Sequence, residues 1–154
     1  MVKDLRPFGD PGSDNFRVDV YPFYLLNRAV SRYNVVIESQ LRQIGLDIPA
    51  WRVLMVLGEK EPLPIAQVAK SAVINISTMM RIVERMEIAG LVNAVPSRTD
   101  GRATELRLTA TGQQKLAAAR TATAPIYHRL IRNISASDFS RLLDLLTRLH
   151  NNLE

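Results

Sequence analysis

The sequence predicts a mainly α-helical domain carrying one short β-hairpin, and three observations predict it. Apolar residues recur at intervals of three and four through several segments, the period of helices with one buried face. Two short stretches, Leu91–Val95 and Ala103–Leu108, read instead as strands around a Pro-, Asp- and Gly-containing tip. Gly45, Pro49, Pro62, Pro64 and Gly90 punctuate the chain between these segments. With 154 residues, the chain fits one domain large enough for its own core.

Taken in order, residues 1–18 contain Pro7, Gly9, Pro11 and Gly12 among mixed charges and are expected to form a mobile arm. The domain proper is expected over 19–154. A long helix is predicted over 19–45, with Asp19 as N-cap, Pro22 in its first turn and Gly45 closing it. Its apolar stripe, from Val20 through Tyr33 to Ile44, is longer than one small core can cover, and a second subunit is one way to cover it. A second helix follows Asp47 and Pro49, with Trp51, Val53, Leu54, Val56 and Leu57, and Glu61-Pro62-Leu63-Pro64 reads as a rigid stop and turn. Short and longer helices are predicted over 65–72 and 76–89, joined by the tight Val73-Ile74-Asn75 connection, with Gly90 as the terminating glycine. After the hairpin, residues 109–133 are expected to be helical, with Pro125 forcing a kink or break. A last helix starts at Ser135 or Ser137, where Ser135 and Asp138 resemble a capping box, and it presents a wide leucine face from Leu142 to Leu153. Uncovered, that face would be unusual for a soluble protein, so pairing across a two-fold axis is expected.

Composition narrows the function. The net charge is +5 and the pI about 10.0, which fits a polyanion partner, nucleic acid first. A soluble basic protein with scattered surface charge fits the same numbers. Without cysteine, thiol chemistry, disulfides and cysteine-based zinc sites are excluded. His128 and His150 are the only histidines and lie far apart, so no metal or cofactor is expected. No nucleophile–base pair, paired carboxylates or phosphate loop is evident, and an enzyme is not expected. No apolar run approaches membrane-spanning length and the N-terminus lacks the form of a secretory signal, so the expected location is the cytoplasm, with no membrane partner.

Local pattern is more specific. At 100° per residue, Met79, Ile82, Val83 and Met86 form one stripe of the 76–89 helix, and Ser77, Arg81, Glu84 and Arg85 fall on the opposite side, with Thr78 and Met80 at the flanks. An ordinary amphipathic surface helix would look the same. The short helix just before it makes the pair a helix-turn-helix, whose second helix can read base edges and phosphates. The strand pair with Arg98 and Arg102 at its tip adds a wing suited to a minor groove. Solvated loop charge is the bland alternative for both arginines, and Asp100 can pair with either. Residues 75–107 hold five arginines against four carboxylates, so placement of charge matters more than its sum. Lys115, Arg120, Arg129 and Arg132 lie in a later stretch free of acids, where the dimer, a ligand or flanking DNA could use them.

The run from Ile76 to Val92, then Arg98-Thr99-Asp100-Gly101-Arg102 and Leu108-Thr109-Ala110-Thr111-Gly112, resembles the MarR family of transcriptional regulators. The resemblance extends from about Tyr21 onward and departs at Met80, Gly101 and Pro64. It implies a homodimer of triangular outline, with a winged-helix lobe over about 46–108 and dimerisation helices in 19–45 and 109–154. DNA contact is assigned to Asn75, Ser77, Thr78, Arg81, Arg85, Arg98 and Arg102, and wing stabilisation to Asp100. The implied partner is double-stranded DNA with a pseudo-palindromic operator. The resemblance also implies an effector pocket for a small aromatic acid or related anion, with Tyr24, Arg28, Tyr33 and Trp51 as lining residues. Tyr33 and Trp51 read equally as core aromatics. A winged-helix protein–protein module without ligand response or DNA binding is the alternative reading of the whole chain.

Overall fold

The structure, a computed structural model, describes residues 3–154. Residues 1 and 2, the start of the expected arm, lie outside the described residues. The rest of that segment takes regular local structure: α1 (Arg6–Gly9) is a single turn, and the Arg17 N–H donates to the Phe8 carbonyl at 2.8 Å. The expectation that Asp19 caps the first long helix is corrected. Asp19 sits in a 3₁₀ turn, Val18–Val20, and pairs with Arg17 at 2.5 Å. The helix α2 (Pro22–Gln43) begins three residues later, with Pro22, which has no N–H to leave unsatisfied, in its first turn.

Helix α3 (Ile48–Glu59) starts where Asp47 accepts the Ala50 N–H at 2.9 Å. The Glu61–Pro64 stretch is more than a turn. Leu63–Pro64 forms a two-residue strand, β1, pairing antiparallel with β3 (Thr104–Leu108), which in turn pairs with β2 (Val92–Pro96). The hairpin register places Val92 opposite Leu108 and Ala94 opposite Leu106. Between strands β1 and β2 lie α4 (Ile65–Ala72) and α5 (Ile76–Ile88). Val73 turns the chain between them in the left-handed region, φ 56°, a conformation a β-branched residue adopts only under tertiary constraint. Gly90, φ 71°, ends α5 as the sequence predicts.

Helix α6 (Ala110–Leu130) runs through Pro125, so the break allowed for in the sequence does not occur. Thr121, whose carbonyl loses its partner there, is exposed, and water can satisfy it. Helix α7 (Ala136–Asn151) starts at the Ser135 cap, which accepts the Asp138 N–H at 3.1 Å while its hydroxyl donates to the Asp138 carboxylate at 2.7 Å. No helix among the described residues is long and apolar enough to cross a membrane.

The core lies in the lobe built by α3, α4, α5 and the sheet. Leu54, Leu57, Val68, Met79, Met86 and Leu106 are fully buried at its centre; Ile37 and Leu41 are the buried residues that α2 adds, and Gly112, Leu116 and Ala119 those of α6. All four apolar positions expected to face inward on α5 are buried.

One junction fixes the exit from this lobe. The Leu91 carbonyl accepts the Thr109 N–H at 3.1 Å, and Thr109 caps α6 by accepting the Gly112 N–H at 2.9 Å. A Cβ on Gly112 would lie 2.0 Å from the Leu91 oxygen, so no other residue fits without moving backbone. Gly112→Ala should destabilise the fold by about 1–3 kcal/mol or more, the range for overpacking against rigid structure. Urea unfolding checks this, and a wild-type midpoint would show that the junction yields.

Candidate nucleic-acid interface and adjoining cavity

Asn75 caps α5: its side-chain oxygen accepts the Thr78 N–H at 2.8 Å and the Ser77 hydroxyl at 2.9 Å. Its first role is therefore to set the helix start. Ser77 and Arg81 are exposed on the face opposite the buried stripe, and Thr78 is exposed at its flank. Met80 and Ile76, about half exposed, border them and could meet a thymine methyl. Arg85 stands apart from this group, since its guanidinium pairs with Asp47 on α3 at 2.7 Å.

The wing is held by a residue that the sequence reading passed over. Ser97 is buried, and its hydroxyl donates to Glu105 at 2.8 Å while accepting the Thr99 and Asp100 N–H groups at 3.3 Å. Asp100 stabilises the same turn, but through backbone: its carboxylate accepts the Arg102 N–H at 3.1 Å. Arg98 and Arg102 are exposed, and no ion pair engages either among the described residues. Glu87 ties the wing to α5 by accepting the Ala94 N–H at 3.0 Å.

On the far side of α3, a cavity of about 570 Å³ opens between α2, α3 and α6. Of the four lining residues named from the sequence, Tyr33 and Trp51 line it. Tyr24 and Arg28 do not belong to its wall; they stack on each other along α2 with the guanidinium 5.6 Å from the ring. Val30, Met55, Tyr127, Leu130 and Arg120 also line it, and Arg120 is the one charged residue among the described residues that do so. Gly58 on α3 makes room for α6, because a Cβ there would lie 2.4 Å from Leu116 and 3.0 Å from an Arg120 guanidinium nitrogen. The Trp51 indole Nε1 is buried without a partner among the described residues. Burial raises the Tyr33 hydroxyl above its ordinary pKa, opposed by the Arg52 charge. The cavity wall is therefore mainly apolar and aromatic, with one cation, Arg120.

The helix pair with an exposed polar second helix, followed by a strand-pair wing, defines a winged helix-turn-helix protein. The profile of the MarR family matches residues 44–103. The HTH-type transcriptional repressor IacR of Pseudomonas putida is 37% identical over 145 residues, covering 94% of this chain and 87% of that protein. A MarR family transcriptional regulator from Silicibacter pomeroyi has the same fold, with a TM-score of 0.81 at 23% identity, over 99% of this chain and 97% of that one. So does the PcaV transcriptional regulator from Streptomyces coelicolor, solved with its natural ligand, with a TM-score of 0.76 at 21% identity, over 100% and 99%. The chain belongs to the MarR family of transcriptional regulators.

Ser97→Ala removes the hydroxyl that satisfies Glu105 and two turn amides, at a cost of about 1–3 kcal/mol. Amide exchange at Thr99, Asp100 and Ala103 should accelerate while α5 stays protected. Unchanged exchange would assign the loop's order to Asp100 alone.

Proposed function

We propose that the protein is a homodimeric repressor that binds a pseudo-palindromic operator and leaves it when a small aromatic acid, or a related anion, enters the α2–α3–α6 cavity. The observation that carries the DNA-binding reading is the exposed first half of α5. There Ser77, Thr78 and Arg81 project from a helix whose other face is locked in the core. Arg81, exposed on this face, is assigned the reading of guanine through O6 and N7, which a guanidinium can contact bidentately, and Arg98 and Arg102 on the wing are assigned to a narrow minor groove. Repression is supported by the name of the Pseudomonas putida relative. Ligand control is supported by the cavity with Arg120 and Trp51, and by the Streptomyces coelicolor regulator having been solved with its ligand. The cavity and the DNA face are distinct, so release is a shift between dimer states that differ in affinity for the two partners.

Dimerisation is supported by α7, which has no buried residue in the single chain. Leu142, Leu143, Leu145 and Leu146 are 38–51% exposed, and Phe23, Leu25 and Val30 on α2 are similarly uncovered. The N- and C-terminal helices are thus proposed to interlock with those of a second copy, leaving two lobes over about 46–108 to face DNA.

Selection of bound duplexes from a random library should return a pseudo-palindrome with half-site centres about 10 bp apart, and one of a panel of small aromatic acids should displace it. Arg81→Ala should flatten the preference at one position in each half-site, costing about 1–3 kcal/mol there. An equal loss across all sequences would make Arg81 a phosphate contact. A non-palindromic consensus, or none, would defeat the proposal.

Leu142→Asp with Leu146→Asp would set carboxylates in the interface without partners, at a cost of several kcal/mol. Sedimentation should show a monomer or an unfolded chain, and operator binding should collapse although no DNA-facing residue has changed. A stable monomer with wild-type affinity for the full palindrome would refute the dimer.

A further inference from the structure

Asp47 and Arg85 join two parts of the molecule that the proposed function uses separately. Asp47 stands at the N-cap of α3 and divides its carboxylate between two partners. Oδ1 accepts the Ala50 N–H at 2.9 Å, and Oδ2 receives the Arg85 guanidinium at 2.7 Å. Arg85 follows Arg81 by one turn on the recognition helix α5. Trp51 follows Asp47 by one turn on α3, Met55 by two, and both line the cavity. Arg52, next to Trp51, contacts the other helix of the pair, its NH1 lying 3.5 Å from the Ala72 carbonyl at the end of α4.

Helix α3 therefore holds both helices of the DNA-binding motif through polar contacts while it forms a wall of the cavity. Apolar packing sets the approach and crossing of α3 and α5, and the polar contacts add defined points of attachment between them. A charge pair anchored at a cap adds a fixed point of attachment for Arg85 at the start of α3. Asp47 is already immobilised by capping, so pairing orders only Arg85 and avoids part of the entropy cost that makes half-exposed pairs weak.

We propose that Asp47 is a positioning residue of the DNA-binding face, acting through Arg85, and that this pair couples the state of α5 to the Trp51–Met55 wall of the cavity. The inference rests on the proposed function, which supplies the two sites being coupled. By linkage, what DNA does to α3 a cavity ligand does to α5 in return. Arg85 acts here as the handle by which α3 sets α5, not as an independent phosphate contact.

Trp51 is the single tryptophan, so its emission reports on α3 with no label and no known effector. The probe is the duplex selected from the random library, with binding followed by anisotropy of the labelled DNA and α3 followed by Trp51 fluorescence. Asp47→Asn keeps a capping oxygen and drops the charge. The wild type should bind with a change in Trp51 emission. Asp47→Asn should bind about three- to five-fold more weakly, the range a half-exposed pair supports, and should lose most of that emission change. Asp47→Asn with Arg85→Gln should bind no more weakly than Asp47→Asn alone, and Arg85→Lys should keep most of the wild-type response. A full emission change in Asp47→Asn overturns the inference, as does wild-type binding that leaves Trp51 silent. Further loss in the double variant overturns it too, because Arg85 would then contact DNA in its own right. Failure of the wild type to bind any duplex defeats the DNA-binding reading and this inference with it, so the two failures are told apart.

Discussion

The architecture depends on the close approach of the first turn of α6 to the backbone of Leu91. Four elements meet there. The Leu91 N–H donates to the Met86 carbonyl and so closes α5 over the left-handed Gly90. The Leu91 carbonyl takes the Thr109 N–H, which ends β3 and starts α6. The Thr109 hydroxyl reaches back to the Gly90 carbonyl and also caps α6. Gly112 is the condition for all of it, since a side chain would occupy the space of the Leu91 oxygen. The recognition helix, the wing and the helix that leaves the lobe are thereby referenced to one point, and displacement at that point would move all three. The Leu-Thr-x-x-Gly motif is this junction written in sequence: a strand end, a cap and a residue without a Cβ.

Most of the lobe's carboxylates are engaged with backbone or hydroxyl donors, which lets a near balance of charge coexist with arginines that have no ion-pair partner among the described residues. Glu87 accepts the Ala94 N–H, Glu105 the Ser97 hydroxyl, and Asp100 the Arg102 N–H. Glu61 accepts the Leu108 N–H at 2.6 Å and a Gln113 amide N–H at 3.3 Å. Each fixes a strand, a loop or a helix start by satisfying a donor that folding would otherwise leave unpaired. Arg81, Arg98 and Arg102 have no ion-pair partner among the described residues and extend from the surface.

Period and capping chemistry were legible in the sequence. The buried stripe of α5, the Ser135 cap and the glycine stop at Gly90 follow from local rules, and each is where those rules place it. Long-range placement was not legible. Two residues between prolines show no alternation, so β1 emerges only through its pairing with Leu106 and Glu105. Asp19 looked like a cap because it precedes the apolar run, but Arg17 two residues away competes for its carboxylate. Tyr24 and Arg28 share a helix with Tyr33, yet the cavity wall on α2 is the face of Ala29, Val30 and Tyr33. Arg120 stood out only as one of four basic residues in an acid-free stretch, open to the dimer, a ligand or DNA, because α6 is rich in alanine and threonine and carries little helical periodicity to indicate which of them faces inward. Ser97 carried a weak signal in the Pro-Ser-x-x-Asp turn chemistry of the wing, but its burial depends on Glu105 across the hairpin.

Burial along the long helices then explains why the lobe and the proposed dimer elements behave as different kinds of structure. Helix α2 has 22 residues, and its two buried ones, Ile37 and Leu41, lie in its last two turns. Helix α6 shows the mirror image, with Gly112, Leu116 and Ala119 buried near its start. Each helix is thus rooted in the lobe at one end, while its other end carries uncovered apolar residues such as Phe23, Val30, Tyr127 and Leu130. Helix α7, with no buried residue, is attached at neither end. The cavity lies between the rooted and unrooted parts, bounded by α3 on the lobe side and by Val30, Tyr127 and Leu130 on the other. A partner that covers the unrooted ends would therefore also set the shape of the cavity. In the proposed dimer, ligand affinity, subunit packing and the spacing of the two α5 helices are for this reason expressions of one equilibrium, because the same side chains serve the chamber and the interface.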